Sequence, residues 1–104
     1  MNKLKIGLLL PLSGEYQEIG KSIIYSTSMA LREIDDETLE FVIKDIGSDS
    51  KESLKNTLDS LDEDSIQTSI ILVEQKYHYL LEDYPDKVFI SLSNRSSKIT
   101  KNVI

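Results

Sequence analysis

The stretch Ile6–Gly20, which reads IGLLLPLSGEYQEIG, constrains the fold of this chain more than any other. Its apolar run, Ile6–Leu10, does not alternate with polar residues, which is typical of a strand buried on both faces of a parallel sheet. Pro11 ends the run, Ser13-Gly14 turns the chain, and a helical pattern follows. Such a turn is expected at the carboxyl edge of the sheet, where open α/β sheets bind ligands.

The rest of the chain repeats this alternation of strand and helix. The predicted strands are Lys3–Leu10, Leu39–Lys44, Ser69–Val73 and Val88–Leu92. The predicted helices run from near Gln17 to about Ile34, then over the segment that carries Leu54, Leu58 and Leu61, and finally, as a short helix at best, over Glu74–Asp83. Helices between successive strands imply right-handed crossovers. The sequence therefore predicts an α/β fold in three layers (α/β/α), with a mostly parallel sheet ordered 2-1-3-4, as one domain over residues 1–104.

The first helix carries a spacing pattern that predicts its packing face. That face is formed by Ile19, Ile23, Ala30 and Ile34, and it is widened by Ile24, Thr27 and Leu31. Gly20 lies in the first turns of this helix, where glycine is unfavourable, so a close approach of the backbone to a strand or a ligand is expected there. Asp49 and Glu52 form a capping-box pattern at the start of the second helix.

Composition excludes several classes of function. The 104 residues carry a net charge of −6, which argues against nucleic acid or an anionic membrane surface as a partner. There is no cysteine, hence no disulfide framework and no thiolate metal site. Lys3 and Lys5 before an apolar run imitate the start of a signal peptide, but the run is short and no cleavage site follows. A cytoplasmic location is therefore expected if the chain is made as written.

No enzyme motif is complete. Gly14 and Gly20 are too far apart for a dinucleotide fingerprint, and the segment 14–22 has five residues where a phosphate-binding loop has four. The acidic residues of a receiver domain are absent after the first and third predicted strands. The sequence therefore predicts a protein that is not an enzyme and that has no cofactor.

The residues that could bind a metal have simpler interpretations. His78 is the only histidine, and it has no second histidine or cysteine near it in the sequence, so we expect a half-packed helix residue. Asp45 and Asp49 are expected to satisfy backbone donors and to cap a helix rather than to bind a cation.

Three blocks in order resemble the leucine/isoleucine/valine-binding family of type I periplasmic solute-binding proteins. They are KIGLLLPLSGEYQEIG, SMALREID and LEFVIKDIGSDSKES. The resemblance is clear over residues 3–61 and looser over 69–100. The same blocks are similar to those of a sister group, the penicillin-binding-protein activators, which use this fold to contact a cell-wall synthase.

The resemblance implies a partial N-terminal lobe without the second lobe, and amino-acid transport as the function. In the family, the ligand is held by backbone donors and hydroxyls at the carboxyl ends of strands one, three and four. On this chain the corresponding candidate contacts are Ser13, Tyr16, Ser93, Asn94 and Arg95. The implied partners are a small amino-acid-like ligand and an ABC permease, or a penicillin-binding protein in the sister group, and the implied location is periplasmic.

The sequence departs from the family at two of the ligand loops. The Gly-Pro turn and the Ser expected after strand three are replaced by a segment that begins with Glu74, and Arg95 stands where the family has Thr. These departures favour the protein-interaction alternative slightly. A lobe without its opposing wall is also expected to bind very weakly, so a fragment, a non-functional remnant, and a domain that self-associates or pairs with another chain through its sheet edge all remain open.

Overall fold

A computed structural model describes residues 4–34, 38–47, 51–92 and 102 of the chain. Its elements in order are β1 (Leu4–Leu10), α1 (Gln17–Ile34), β2 (Leu39–Asp45), α2 (Lys51–Asp59), β3 (Thr68–Ile71), a 3₁₀ helix (Gln75–Asp83) and β4 (Val88–Ser91). The predicted order of strands and helices is confirmed, and strand ends differ by one or two residues. The proposed cap Asp49 lies outside the described residues.

The four strands form a single sheet in the order β2-β1-β3-β4, as predicted. All three pairings are parallel, and β1 lies at the centre with Leu8 opposite both Ile43 and Ile70. Leu8, Leu9 and Leu10 are buried, which is why this strand has no polar alternation. The carboxyl ends of all four strands therefore meet at one edge of the sheet.

The main hydrophobic core lies between one face of the sheet and the pair formed by α2 and the 3₁₀ helix. Its buried residues include Leu9, Ile71 and Phe89 from the strands. From the helical side come Leu54, Leu58, Leu80 and Leu81, with Tyr77 and Tyr84 packed at the margin. The predicted short helix over Glu74–Asp83 is thus a 3₁₀ helix that buries Leu80 and Leu81 in this core.

The opposite face carries Leu8 and Leu10, which alternate with Leu9 along β1. Right-handed crossovers place α1 on this face, so the fold has the three predicted layers. A Cβ atom built on Gly20 would lie only 2.1 Å from the Pro11 carbonyl oxygen. The expected close approach of the helix backbone at Gly20 is therefore present, and its neighbour is the chain that leaves β1.

The predicted packing face of α1 is wrong in part. Ile19 and Ile34 are 51% and 62% exposed, and Ala30 is exposed as well. The other four predicted residues, Ile23, Ile24, Thr27 and Leu31, are half-buried, and the covered side that they form also includes the buried Gly20. The contact at Gly20 fixes the rotation of the helix, whereas the spacing of apolar residues reports only their average direction. No helix among the described residues is long and apolar enough to cross a membrane.

Candidate functional site

The candidate site lies at the carboxyl edge of the sheet, where β1 passes into α1. The connecting turn spans residues 11–16, and Gly14 adopts a positive φ of 79°, which a glycine tolerates without strain. Ser13 and Tyr16, two of the predicted ligand contacts, are both exposed in this turn. The structure therefore places an exposed hydroxyl and an exposed phenol in the same turn, three residues apart, at the edge where a ligand is expected.

The carboxylate of Asp45 joins this turn to the end of β2. Its Oδ1 atom accepts hydrogen bonds from the Leu12 backbone N–H at 3.0 Å and from the Gly47 backbone N–H at 2.8 Å. A backbone bond from Ile46 N–H to the Leu10 carbonyl, at 3.0 Å, lies beside them. The expectation that Asp45 satisfies backbone donors is confirmed.

The end of β2 is in turn held by α2. Ser53 donates its hydroxyl hydrogen to the Ile46 carbonyl at 2.9 Å. The Thr57 hydroxyl shares its single hydrogen between the Asp45 carbonyl oxygen at 3.3 Å and the Ser53 carbonyl oxygen at 3.1 Å. Gly47 has a φ of 77°, and a Cβ atom there would lie 2.3 Å from Ser53 Oγ. The β2 exit is therefore fixed on both sides, to α2 and to the turn after β1.

The electrostatics of Asp45 follow from these contacts. Partial burial raises its pKa, but hydrogen bonds from the Leu12 and Gly47 N–H groups and from the Ser13 hydroxyl outweigh that effect. The net result is a pKa below the ordinary value of 3.8, so the group is ionised at neutral pH. A fixed negative charge consequently sits beside Ser13.

The exits of β3 and β4 bring together residues that the sequence did not single out as contacts. Ser91 Oγ, at the end of β4, lies 3.2 Å from Nε2 of His78 in the 3₁₀ helix. Glu74, at the exit of β3, is half-buried and pairs with Lys76 at 3.5 Å. His78 and Ser91 are thirteen residues apart, so their contact depends on the path of the 3₁₀ helix, and no spacing rule reveals it.

The other three predicted contacts, Ser93, Asn94 and Arg95, lie outside the described residues. Within the described ranges, no three His, Cys, Asp or Glu side chains converge as metal ligands do. His78 is half-buried, as expected. Among the described residues, the candidate site thus consists of the turn after β1, which carries Ser13 and Tyr16 and is hydrogen-bonded to Asp45, and of the Ser91–His78 pair.

Comparison with known proteins bears on the fold. No protein-family model and no curated protein sequence matches the chain. Among solved structures, the chain is similar to an ABC-transporter solute-binding protein from R. palustris in complex with 4-hydroxybenzoate, with a TM-score of 0.81 and 18% identity over 99% of this chain and 31% of that one. An ABC-type branched-chain amino acid transporter protein from Rhodopseudomonas palustris aligns with a TM-score of 0.76 and 18% identity, over 97% of this chain and 31% of the other.

A neighbour of a different kind is the C-domain of LpoA from Haemophilus influenzae, a regulator of PBP1A. It aligns with a TM-score of 0.73 and 23% identity, over 95% of this chain and 31% of that domain. This chain therefore spans about a third of the length of each of these three structures. The protein has the α/β fold of type I periplasmic solute-binding proteins and of LpoA, over the part of that fold that the 104 residues span.

Proposed function

We propose that the chain is part of the first lobe of a solute-binding protein of the leucine-binding type. The carboxyl edge of the sheet supplies one wall of the site, and Ser13, Tyr16, Ser93, Asn94 and Arg95 contact a small amino-acid-like solute. The observation that carries this proposal is the β1 turn: Ser13 and Tyr16 are exposed at the strand end, in a turn held by Asp45. A preformed turn supports binding because little ordering is needed when a ligand arrives.

On this proposal the residues 1–104 are a partial domain, and the opposing wall comes from a second lobe. The solute passes to an ABC permease, and the working compartment is the periplasm. The solute-binding neighbours, one of them in complex with 4-hydroxybenzoate, support this general kind of role. One wall alone buries only part of a ligand, so we expect affinity in the millimolar range for the isolated chain.

Thermal melting of the purified chain with a panel of amino acids tests the proposal. A ligand at ten times its dissociation constant adds about 1.4 kcal/mol to the folded state, which raises Tm by several degrees for a domain of this size. Ser13→Ala and Tyr16→Ala are the paired variants, and both are expected to abolish the shift without lowering the basal Tm. A cooperative melt that no amino acid shifts, or a shift that both variants retain, contradicts the site.

A second candidate is an interaction domain of the penicillin-binding-protein activator kind. The observation that favours it is Glu74, a half-buried acidic residue at the β3 exit, where a solute carboxylate would be repelled. LpoA, a regulator of PBP1A, shares the fold. Binding of the immobilised chain to a purified penicillin-binding protein, lost on Glu74→Lys and absent with bovine serum albumin, would select this candidate.

A chain that neither binds nor melts cooperatively would be a non-functional remnant.

A further inference from the structure

The candidate turn after β1 is held by a contact that comes from a distant part of the sequence. Leu12 N–H donates to Asp45 Oδ1, and the two residues are thirty-three positions apart. Leu12 directly precedes Ser13, and the Ser13 hydroxyl also hydrogen-bonds to the Asp45 carboxylate, so one carboxylate holds two neighbouring residues of the turn. The same Asp45 oxygen, Oδ1, accepts two N–H donors, from Leu12 and Gly47.

Asp45, which accepts that contact, is itself held by several hydrogen bonds. Asp45 is the last residue of β2 and pairs in register with Leu10. Its own carbonyl oxygen lies 3.3 Å from the Thr57 hydroxyl, and the next carbonyl, that of Ile46, accepts the Ser53 hydroxyl hydrogen at 2.9 Å. Both hydroxyls belong to α2, whose Leu54 and Leu58 are buried in the core. A continuous set of contacts thus runs from the core, through α2 and the β2 exit, to the turn.

We propose that Asp45 is the positioning residue of the candidate site, holding the turn at residues 12–16 in one conformation so that Ser13 and Tyr16 face the ligand together. The part of this inference that concerns a ligand rests on the proposed function. Asp45 itself acts through Leu12 and Ser13 and need not touch the solute. Ionised carboxylates accept backbone N–H bonds about twice as strongly as neutral acceptors, which suits this task.

The inference predicts different effects for two substitutions of the same residue. Asp45→Ala removes the acceptor, so the Leu12 and Gly47 amides lose their partner. Asp45→Asn keeps an oxygen in the same place without the charge, so it retains most of the contact. The matched control is Asp64→Ala, which removes an equal charge from a residue whose carboxylate pairs with Lys44 rather than with the turn.

Amide hydrogen exchange of the three variants and the wild type, measured by NMR, tests the hydrogen bonds from Leu12 and Gly47 to Asp45 without any ligand. We expect Asp45→Ala to accelerate exchange at Leu12 and Gly47 about tenfold, as for loss of one charge-assisted bond, while the core amides of Leu8 and Ile71 keep their protection. Asp45→Asn and Asp64→Ala are expected to leave Leu12 within about threefold of the wild type. An unchanged rate of exchange at Leu12 in Asp45→Ala would show that Asp45 does not hold the turn.

The second measurement concerns the turn itself. The amide chemical shifts of Ser13 and Tyr16 report its conformation, and titration with L-leucine and 4-hydroxybenzoate reports binding. Asp45→Ala is expected to move both amide shifts and to weaken binding of either probe about tenfold, and Asp45→Asn to restore both readouts. Faster Leu12 exchange with wild-type Ser13 and Tyr16 shifts would refute positioning. If the shifts move and recover as expected but neither probe binds the wild type, the inference about Asp45 stands and the solute-binding proposal falls.

Discussion

At the scale of single residues, close contacts decide what the chain tolerates. Glycine inside a helix normally costs up to about 1 kcal/mol against alanine. At Gly20 the balance is reversed, because a Cβ atom would lie 2.1 Å from the Pro11 carbonyl oxygen and 3.0 Å from the Pro11 carbonyl carbon. The obstacle is backbone, so no side-chain rotation relieves it. The glycine therefore allows α1 to lie against the turn that carries the candidate site.

Gly20→Ala is expected to destabilise the chain by about 2 kcal/mol, since overpacking against an atom that cannot move outweighs the gain in helix propensity. Urea unfolding followed by circular dichroism measures the change. Ser26→Ala, an exposed position of the same helix, is the matched control and is expected to be neutral or slightly stabilising. A Gly20→Ala variant as stable as the wild type would show that α1 does not pack on Pro11.

Ser69 carries a buried polar atom without a hydrogen bond to any described residue. Its Oγ is buried and has no hydrogen-bond partner among the described residues, and it lies where a Cβ on Gly7 would be 2.5 Å away. Because a buried hydroxyl without a partner costs desolvation energy, Ser69→Ala is expected to leave the free energy of unfolding unchanged or to raise it by up to about 1 kcal/mol. A loss of stability measured by urea unfolding would mean that Ser69 makes a bond that stabilises the fold.

At the scale of elements, the two edges of the sheet are fixed by different chemistry. The amino edge depends on Lys87, whose side chain is only 3% exposed. Its Nζ donates to the Ile66 carbonyl at 2.8 Å and pairs with Asp62 at 2.6 Å. These contacts join the start of β4 to the loop that enters β3. At the carboxyl edge, the Asp45 carboxylate joins the turn after β1 to the end of β2 by accepting the Leu12 and Gly47 N–H groups.

Lys87→Met keeps the apolar stem but removes the ammonium group, which leaves the Ile66 carbonyl without this donor. We expect a loss of about 1–3 kcal/mol in the free energy of unfolding. Lys76→Met, whose side chain is 55% exposed, is the control and is expected to change stability by less than about 0.5 kcal/mol. Equal effects of the two substitutions would argue against the anchoring role of Lys87.

The carboxyl edge gives the chain an acid-sensitive contact. The pKa of Asp45 is lowered in the folded state, so its contribution is present above the unfolded value of about 3.9 and is lost as the pH falls through the lower folded value. In urea unfolding between about pH 5 and pH 2, Asp45→Asn is therefore expected to lose less stability than the wild type. Parallel curves for the two proteins would show that the carboxylate is not held by these bonds.

Sequence reasoning located the elements well because alternation and short connections carry that information. The continuous run at Leu8–Leu10 predicts a strand buried on both faces, and the predicted strand order 2-1-3-4 is confirmed. Spacing alone places Ile19, Ala30 and Ile34 on the packing face of α1, but all three are exposed. The contact at Gly20 turns Ile19 and Ala30 outward, and Ile34 is the last residue of the helix. The hydrogen bond from Leu12 N–H to Asp45 joins residues thirty-three positions apart, so no local sequence pattern predicts it.

At the scale of the whole molecule, the sheet is covered unevenly. The core face is packed by α2 and the 3₁₀ helix, whereas Val88 and Ile90 of β4 are 39% and 37% exposed on the face that carries α1. The chain spans 31% of the length of the solute-binding structures it resembles. The edge that presents Ser13 and Tyr16 is nevertheless assembled by the described residues themselves, so binding at this edge can be measured on this chain alone.

Binding at this edge can be measured by titrating the ¹⁵N-labelled chain with L-leucine and 4-hydroxybenzoate at millimolar concentration and mapping the amide shifts by NMR. We expect saturable shifts concentrated at Ser13, Gly14 and Tyr16, with the amino-edge amides of Ile66 and Lys87 unmoved. Shifts that cluster at the amino edge, or no saturable shift with either probe, would contradict the assignment of the carboxyl edge as a solute-binding wall.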